Sequence, residues 1–306
     1  MILVTGGAGY IGAVFVRQLL DKGYAVRVFD KLFFGADGLE EIRSNIDLVQ
    51  GDIREFDPDT LDNIDVVVHL AGLSNDPMAE FNPKANMAIN TDGTRKIAEA
   101  CKRRAAYAVS KYKAERVLLE LADESFCPVI LRQGTVYGFS PRMRYDLVVN
   151  TFVKCALTTG VLKVFCGGEM WRPLVDVTDV GRAYLCCIEA KDDAIRGNIY
   201  NISFKNYRVL ELSHWVKKAL RDIRAVGIEV EYGDTKARSY RVSTKKIEDQ
   251  LGFRPIVSVE DSARDMAEKI LRGQHADMHN PKYYNIQWME LLVAMENRLR
   301  EIGNVL

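Results

Sequence analysis

Short apolar runs alternate with amphipathic stretches along the first seventy residues. Ile2–Thr5 reads as a strand and Tyr10–Lys22 as a helix that stops at Gly23. Ala25–Asp30 and Asp47–Gln50 are further strands, and after a polar stretch with Pro58 comes a fourth, Val66–Leu70. These β-branched runs do not alternate in polarity, as expected of strands buried on both faces of a parallel sheet. Thr91–Arg104 and Val109–Ala122 carry helical spacing, and Val129–Arg132 is a later strand. Further on, Leu147–Leu157, Val209–Leu220, Val259–Arg272 and Trp288–Arg300 read as helices, with a short strand at Ile228–Tyr232. The pattern predicts an α/β chain: a doubly wound parallel sheet followed by a smaller, mixed α/β lobe.

Composition narrows the class of partner. Lysine plus arginine equals aspartate plus glutamate, 42 against 42, so no global positive field gathers nucleic acid or anionic lipid. No apolar run approaches the ~20 residues that span a bilayer, and Thr5-Gly-Gly-Ala-Gly breaks the N-terminal apolar run too early for an export signal. The six cysteines are irregularly spaced, and the adjacent Cys186-Cys187 pair suits neither a redox motif nor a zinc site. They read as reduced, packed side chains of a cytoplasmic protein, with no metal expected.

The first chemical signal is Thr5-Gly-Gly-Ala-Gly-Tyr-Ile-Gly12, directly after a strand and opening a helix. Gly6, Gly9 and Gly12 suit a tight turn, close approach to a pyrophosphate, and close packing of helix on strand. The backbone at Tyr10 and Ile11 begins the helix, whose free N–H groups and positive dipole end favour phosphate. Asp30 ends the next strand, 18 residues after Gly12, where a carboxylate accepts hydrogen bonds from ribose hydroxyls and repels a 2′-phosphate. The first domain is therefore a Rossmann domain and its cofactor NAD rather than NADP. The neighbouring Lys31 argues weakly the other way, and Asp52-Ile53 stands where it would cap the adenine.

With these residues in place the chain resembles the extended short-chain dehydrogenase/reductases, the NAD-dependent epimerases, dehydratases and decarboxylases of nucleotide-sugars. The glycine turn is similar to the family's cofactor loop, and Gly51-Asp52 and His69-Leu70-Ala71-Gly72 to its adenine and central-strand motifs. Asn90-Thr-Asp-Gly-Thr94 resembles a helix-opening motif, and Tyr107-Ala-Val-Ser-Lys111 the catalytic YxxxK. Leu131–Gly138, Trp171–Asp179, Arg238-Ser-Tyr240 and Leu251–Pro255 match later signatures. The resemblance adds Leu70, Ala71, Gly72 and Asn90 to the cofactor contacts. It divides the chain into an NAD-binding domain (1–138 and 174–203) and a nucleotide-sugar lobe (139–173 and 204–306).

On a helix, Tyr107 and Lys111 share a face roughly 5–6 Å apart. A free phenol ionises near ~10, and a nearby ammonium and the charge of oxidised nicotinamide both favour the tyrosinate. Tyr107 then takes a proton from a sugar hydroxyl while hydride leaves the same carbon, and the resemblance has Lys111 also bond the nicotinamide ribose. One element is missing. The family places a strand, carrying a catalytic serine or threonine, between the helix ending near Arg104 and the one bearing Tyr107. Three residues reach only ~10–11 Å, too little for a strand of ~17–20 Å. Either a segment is absent at 104–107 from the sequence as written, or the deletion is real and the chain is a crippled relative. No catalytic serine or threonine can be named.

For the substrate, the resemblance implies a nucleoside-diphosphate sugar held by Arg172 and Arg238, whose guanidinium forks suit phosphate, and by Asn150. Thr135, where many relatives carry asparagine, and Ser203, where they often carry glycine, leave the sugar open. Ser74, at the C-terminal sheet edge, is a further contact. The expected reaction is oxidation at C4 leading to 4-epimerisation. A 4,6-dehydratase and a 4-dehydrogenase are alternatives, and a real deletion favours a catalytically silent NAD-binding regulator. A homodimer through helices 91–104 and 108–122 follows from the resemblance, with Ile97, Ala98, Cys101, Val117, Leu118 and Leu121 as its apolar face, although core packing explains those residues equally well.

Overall fold

Alternation of strand and helix governs the first half of the chain, as the apolar pattern requires. The computed structural model describes residues 1–73, 80, 82–104, 115–124, 126–233 and 238–302, together with the backbone of 107–111. β1 (Ile2–Thr5), α1 (Tyr10–Asp21), β2 (Val26–Asp30), β3 (Ile46–Gln50) and β4 (Val66–His69) come first. α2 (Thr94–Arg103), β5 (Tyr107–Lys111), α3 (Glu115–Leu121), β6 (Pro128–Gln133) and β7 (Thr135–Tyr137) follow. Next are α4 (Val148–Thr158), β8 (Val161–Val164), β9 (Trp171–Asp176), α5 (Val177–Glu189) and β10 (Ile199–Ile202). The chain continues through β11 (Lys205–Arg208), α6 (Val209–Leu220), β12 (Gly227–Val230), α7 (Lys245–Leu251), α8 (Val259–Leu271) and α9 (Asn285–Ile302).

Seven of these strands form one parallel sheet in the order β10-β6-β5-β4-β1-β2-β3. The chain winds outward from β1 in one direction and then, from β4, in the other. A crevice therefore opens where the C-terminal ends of β1 and β4 lie side by side, the place at which open α/β sheets bind ligands. Ile2 and Val4 point to one face, packing with Phe15, Val16 and Leu19 of α1 and Val180, Ala183 and Tyr184 of α5. Leu3 points to the other, with Ile97, Ala98 and Cys101 of α2 and Leu118 of α3. A third core joins Tyr137, Tyr145, Phe152, Leu212, Val216 and Met266, from β7, α4, α6, α8 and the loop after β7.

The stretch 107–111 departs from the sequence reading. The pattern predicts helix from Val109; the chain instead runs as β5, between β4 and β6, with Val66 opposite Tyr107 and Leu131 opposite Lys111. The reach argument holds, but its premise that residue 107 opens a helix does not. Without a strand in this slot, the facing edges of β4 and β6 would leave a buried row of N–H and C=O groups unpaired. Residues 107–111 fill that slot, and the following helix is confined to α3. Tertiary demand overrides local propensity.

The proposed dimer face also changes meaning. Ile97, Ala98, Cys101, Val117 and Leu118 are all buried within the single chain, and all but Val117 pack in the core with Leu3 of the sheet. Among the described residues no cysteine is joined in a disulfide. Among the described residues, no helix is long and apolar enough to cross a membrane.

Candidate cofactor and substrate site

The glycine turn joins β1 to α1 at the crevice. Gly6 sits at φ +73°, and a Cβ there would lie 2.5 Å from the Ala71 nitrogen. A Cβ on Gly12 would lie 2.3 Å from the Gly6 carbonyl oxygen, so the first turn of α1 closes on the loop only because this position is bare. Gly9 is the N-cap of α1 and offers no side chain to the helix end. The first-turn N–H groups thus point outward with the positive end of the helix dipole, which suits a pyrophosphate. These features fit NAD.

Asp30 completes the cradle. Its Oδ2 accepts from the Ala8 N–H at 3.0 Å and its Oδ1 from the Leu32 N–H at 2.8 Å. Burial pushes its carboxyl above the usual range, opposed by those two bonds and by Arg142. Each carboxylate oxygen retains acceptor capacity for a ribose hydroxyl. Lys31 leans away from a phosphate-reading role, its Nζ lying 3.6 Å from Asp52. Asp52 caps the turn at Ile53–Glu55 and is gripped by Arg54, whose hydrogen bonds hold its carboxyl down at about 2.

One cavity gathers Gly6, Gly9, Asp30, Lys31, Asp52, Ile53, Leu70, Ala71 and Gly72. It also takes in Ala8, Phe33, Phe34, Gly35, Leu73 and Ile89, which motif reasoning missed. The signal for Phe33-Phe34-Gly35 was its place three residues after Asp30, on the same loop. Tyr10 and Asn90 hold this region from behind. The Tyr10 hydroxyl donates to the Gly138 carbonyl at 2.6 Å, and burial raises its ionisation well beyond the ordinary phenol. The Asn90 Oδ1 accepts from Leu73 N–H at 2.9 Å and its Nδ2 donates to Leu73 O at 3.0 Å, pinning the loop after β4. Ile11 packs partly buried against the core beneath the turn.

Sequence reasoning also passed over a buried relay behind the turn. The His69 Nδ1 lies 2.6 Å from the Thr5 hydroxyl and its Nε2 2.8 Å from the Thr94 hydroxyl. Thr94 donates onward to the Asn90 carbonyl at 3.0 Å. Its hydroxyl proton being spent, Thr94 accepts from Nε2–H, which leaves Nδ1 to accept from Thr5. The relay ties the residue before Gly6 to the start of α2.

The proposed substrate residues fall into different environments. Asn150 is fully buried: its Oδ1 accepts from Gly138 N–H at 3.0 Å, and its Nδ2 donates to Arg144 O at 2.8 Å and to the Tyr10 hydroxyl at 3.2 Å. Those bonds tie α4 to α1 and turn its amide inward. Arg172, on β9, donates to the Trp171 carbonyl at 2.9 Å and also to the Arg238 carbonyl, which brings these two arginines together. Thr135 is half-buried on β7, opposite Leu174. Ser74 lies outside the described residues.

Tyr107 and Lys111 are separated. Four steps of strand span ~13 Å, against the roughly 5–6 Å of one helix face. The register puts Tyr107 level with Val66 and Ile2, at the N-terminal edge of the sheet, and Ser110 level with His69 and Thr5, toward the crevice. The backbone of 107–111 thus does not set these two residues on one helix face, and their side chains lie outside the described residues.

Comparison with known proteins agrees with the cofactor cradle. The NAD dependent epimerase/dehydratase family matches residues 2–106 and 102–203, two pieces that meet at the α2–β5 junction. The chain is 25% identical over 310 residues to a UDP-N-acetyl-alpha-D-glucosaminuronate decarboxylase of Bacillus cytotoxicus, covering 86% of this chain and 95% of the relative. It is 27% identical over 305 residues to a putative UDP-glucose 4-epimerase of Methanocaldococcus jannaschii, covering 86% and 96%. Each alignment is longer than the stretch of this chain it takes in, so the relatives carry residues with no counterpart here. Among solved structures, the UDP-glucuronic acid 4-epimerase of Bacillus cereus superposes with TM-score 0.77 at 22% identity, over 89% of this chain and 99% of that one. A dTDP-glucose 4,6-dehydratase of Streptomyces venezuelae does so with TM-score 0.74 at 22% identity, over 94% and 99%. With two thirds of its length matched and its glycine turn, the acid ending β2 and the doubly wound sheet in place, this chain belongs to the NAD-dependent epimerase/dehydratase family and takes NAD as its cofactor.

Proposed function

We propose that this chain binds a nucleoside-diphosphate sugar beside NAD and oxidises it reversibly at C4, with 4-epimerisation as the net reaction. The observation that carries the reading is the cofactor cradle, an uncapped α1 N-terminus over bare glycines with Asp30 beside it. The reactions of the relatives support the sugar class. A ketone at C4 lets hydride return to the other face, acidifies the C5 proton for dehydration, and activates a C6 carboxylate for loss. Bound NAD supplies the hydride acceptor. The chain's own part is to anchor pyrophosphate on α1, read the ribose through Asp30, and bring Arg172 and Arg238 to the substrate diphosphate. Tyr107 and Lys111 are proposed as the acid–base pair, which requires residues 107–111 to leave β5 when substrate is bound.

A second reading is favoured by β5 itself. If the backbone of residue 107 stays level with Val66 at the N-terminal sheet edge, away from the crevice, the chain is a catalytically silent NAD-binding regulator. Both readings keep the cofactor and part at turnover. Incubating the NAD-loaded protein with UDP-, GDP-, CDP- and dTDP-sugars, while following NADH absorbance and the sugar products, separates them. The enzyme reading expects turnover with one class of sugar and its loss in Tyr107→Phe with NAD still bound. Absence of turnover and of transient NADH across the panel overturns it in favour of the silent binder.

A further inference from the structure

The loop after β2 forms a wall of the adenosine cavity through Phe33, Phe34 and Gly35, yet it is held from the far end of the chain. The Trp288 indole N–H donates to the Phe33 carbonyl at 2.6 Å. Lys282 pairs with Asp37 at 2.8 Å and lies over the Trp288 ring. Behind them, the Arg142 guanidinium stacks on the Phe34 ring, 3.8 Å from its centre, and donates to the Asn285 side chain at 2.7 Å. Arg142 is buried, and its Nε has no partner among the described residues. A buried cation is costly unless it is paired, and Arg142 is held here by the Phe34 ring, the Asn285 side chain and the nearby Asp30 and Asp146 carboxylates.

We infer that residues 282–288, with Arg142 beneath them, form a clasp on the Phe33–Asp37 loop that sets how fast NAD leaves the cradle. The side chains act through the loop and not on the reacting atoms, so Trp288, Lys282 and Arg142 are positioning residues. The clasp bears on the adenosine half of the cofactor, because the loop it holds walls that cavity next to Asp30. A cofactor that must be reused at every turnover benefits from slow release, but the inference rests on NAD binding alone. It therefore stands or falls separately from the sugar chemistry.

The test is the rate at which NADH fluorescence is lost when excess ADP-ribose is mixed with NADH-loaded protein. Losing one hydrogen bond or ion pair of the clasp should speed release about threefold to tenfold in Trp288→Phe and in Lys282→Gln. Lys282→Arg keeps the pairing with Asp37 and should release at the parent rate. Affinity for ADP-ribose should fall in step with that for NAD. The melting temperature of the NAD-free variants separates the clasp from general destabilisation. Parent-like release from both Trp288→Phe and Lys282→Gln overturns the inference, whether or not their NAD-free melting temperatures fall.

Discussion

At Asp30 a carboxylate that already holds two backbone N–H groups still has lone pairs for a ligand, and it lines the cavity beside the glycine turn. Hydrogen bonds to a charged group are worth about 1.5–3 kcal/mol. Asp30→Ala should therefore weaken NAD by roughly ten- to a hundredfold and narrow the gap to NADP, as read by titration with each. His69 works by a different logic, since its ring serves two buried hydroxyls. In His69→Phe the Thr5 hydroxyl loses its acceptor next to the glycine turn. Unfolding in urea should show a loss of about 1–3 kcal/mol, accompanied by weaker NAD binding. Asp176 gives a pH signature. Burial raises its carboxyl to about 6, against the opposing bonds from Ser262 and Thr178, while in the unfolded chain it titrates near ~3.9. Between those values the folded state holds a proton that the unfolded state has lost. Its contribution thus favours folding at low pH and is lost as pH rises from about 4 to about 6. The stability of Asp176→Asn relative to the parent should rise across that window, as urea midpoints would show, and no relative change would mean the group titrates normally.

Elements decide the harder question. β5 is flanked on both sides, so each of its residues belongs to a ladder. Proline at position 108 removes a ladder N–H from a central strand and should cost about 3 kcal/mol or more. The same residue in the first turn of a helix starting at 107 would be tolerated. Ala108→Pro, followed by circular dichroism and urea unfolding, distinguishes the two; a parent-like midpoint would contradict the strand. This segment also marks where reading the sequence fails, and why. β1, α1, β2 and β4 were legible because each apolar run is long enough to fix its own period. Tyr107-Ala-Val-Ser-Lys111 has a motif's spacing but no decisive period, and its form is set by the gap between β4 and β6. β8, β11 and α7 are short, only four to seven residues, and went unread for lack of pattern. α5 was read only as part of a signature, although Val177, Val180, Tyr184 and Cys187 bury a helical stripe.

For the molecule as a whole, the cofactor site was legible to the extent that it is local. Gly6, Gly9, Gly12 and Asp30 lie within one β–α–β unit, and their spacing carries the geometry. Contacts made across the chain left no such trace. Asn150 turns inward to Tyr10 and Gly138, and Trp288 reaches back to Phe33, pairings that no spacing encodes. Through the Trp288 bond the C-terminal helix supports the loop that lines the cavity beside the glycine turn. The family match breaking into two pieces at 102–106 and the sheet's use of 107–111 as a strand fall at the same junction. That junction separates an intact cofactor half from the question of turnover. The most direct test of the account is calorimetric titration of the purified full-length chain, freed of any carried cofactor, with NAD and with NADP. The account predicts one NAD per chain and NADP at least ~10-fold weaker, the cost of setting a phosphate against the Asp30 carboxylate. A chain that takes up neither dinucleotide, or prefers NADP, would contradict it.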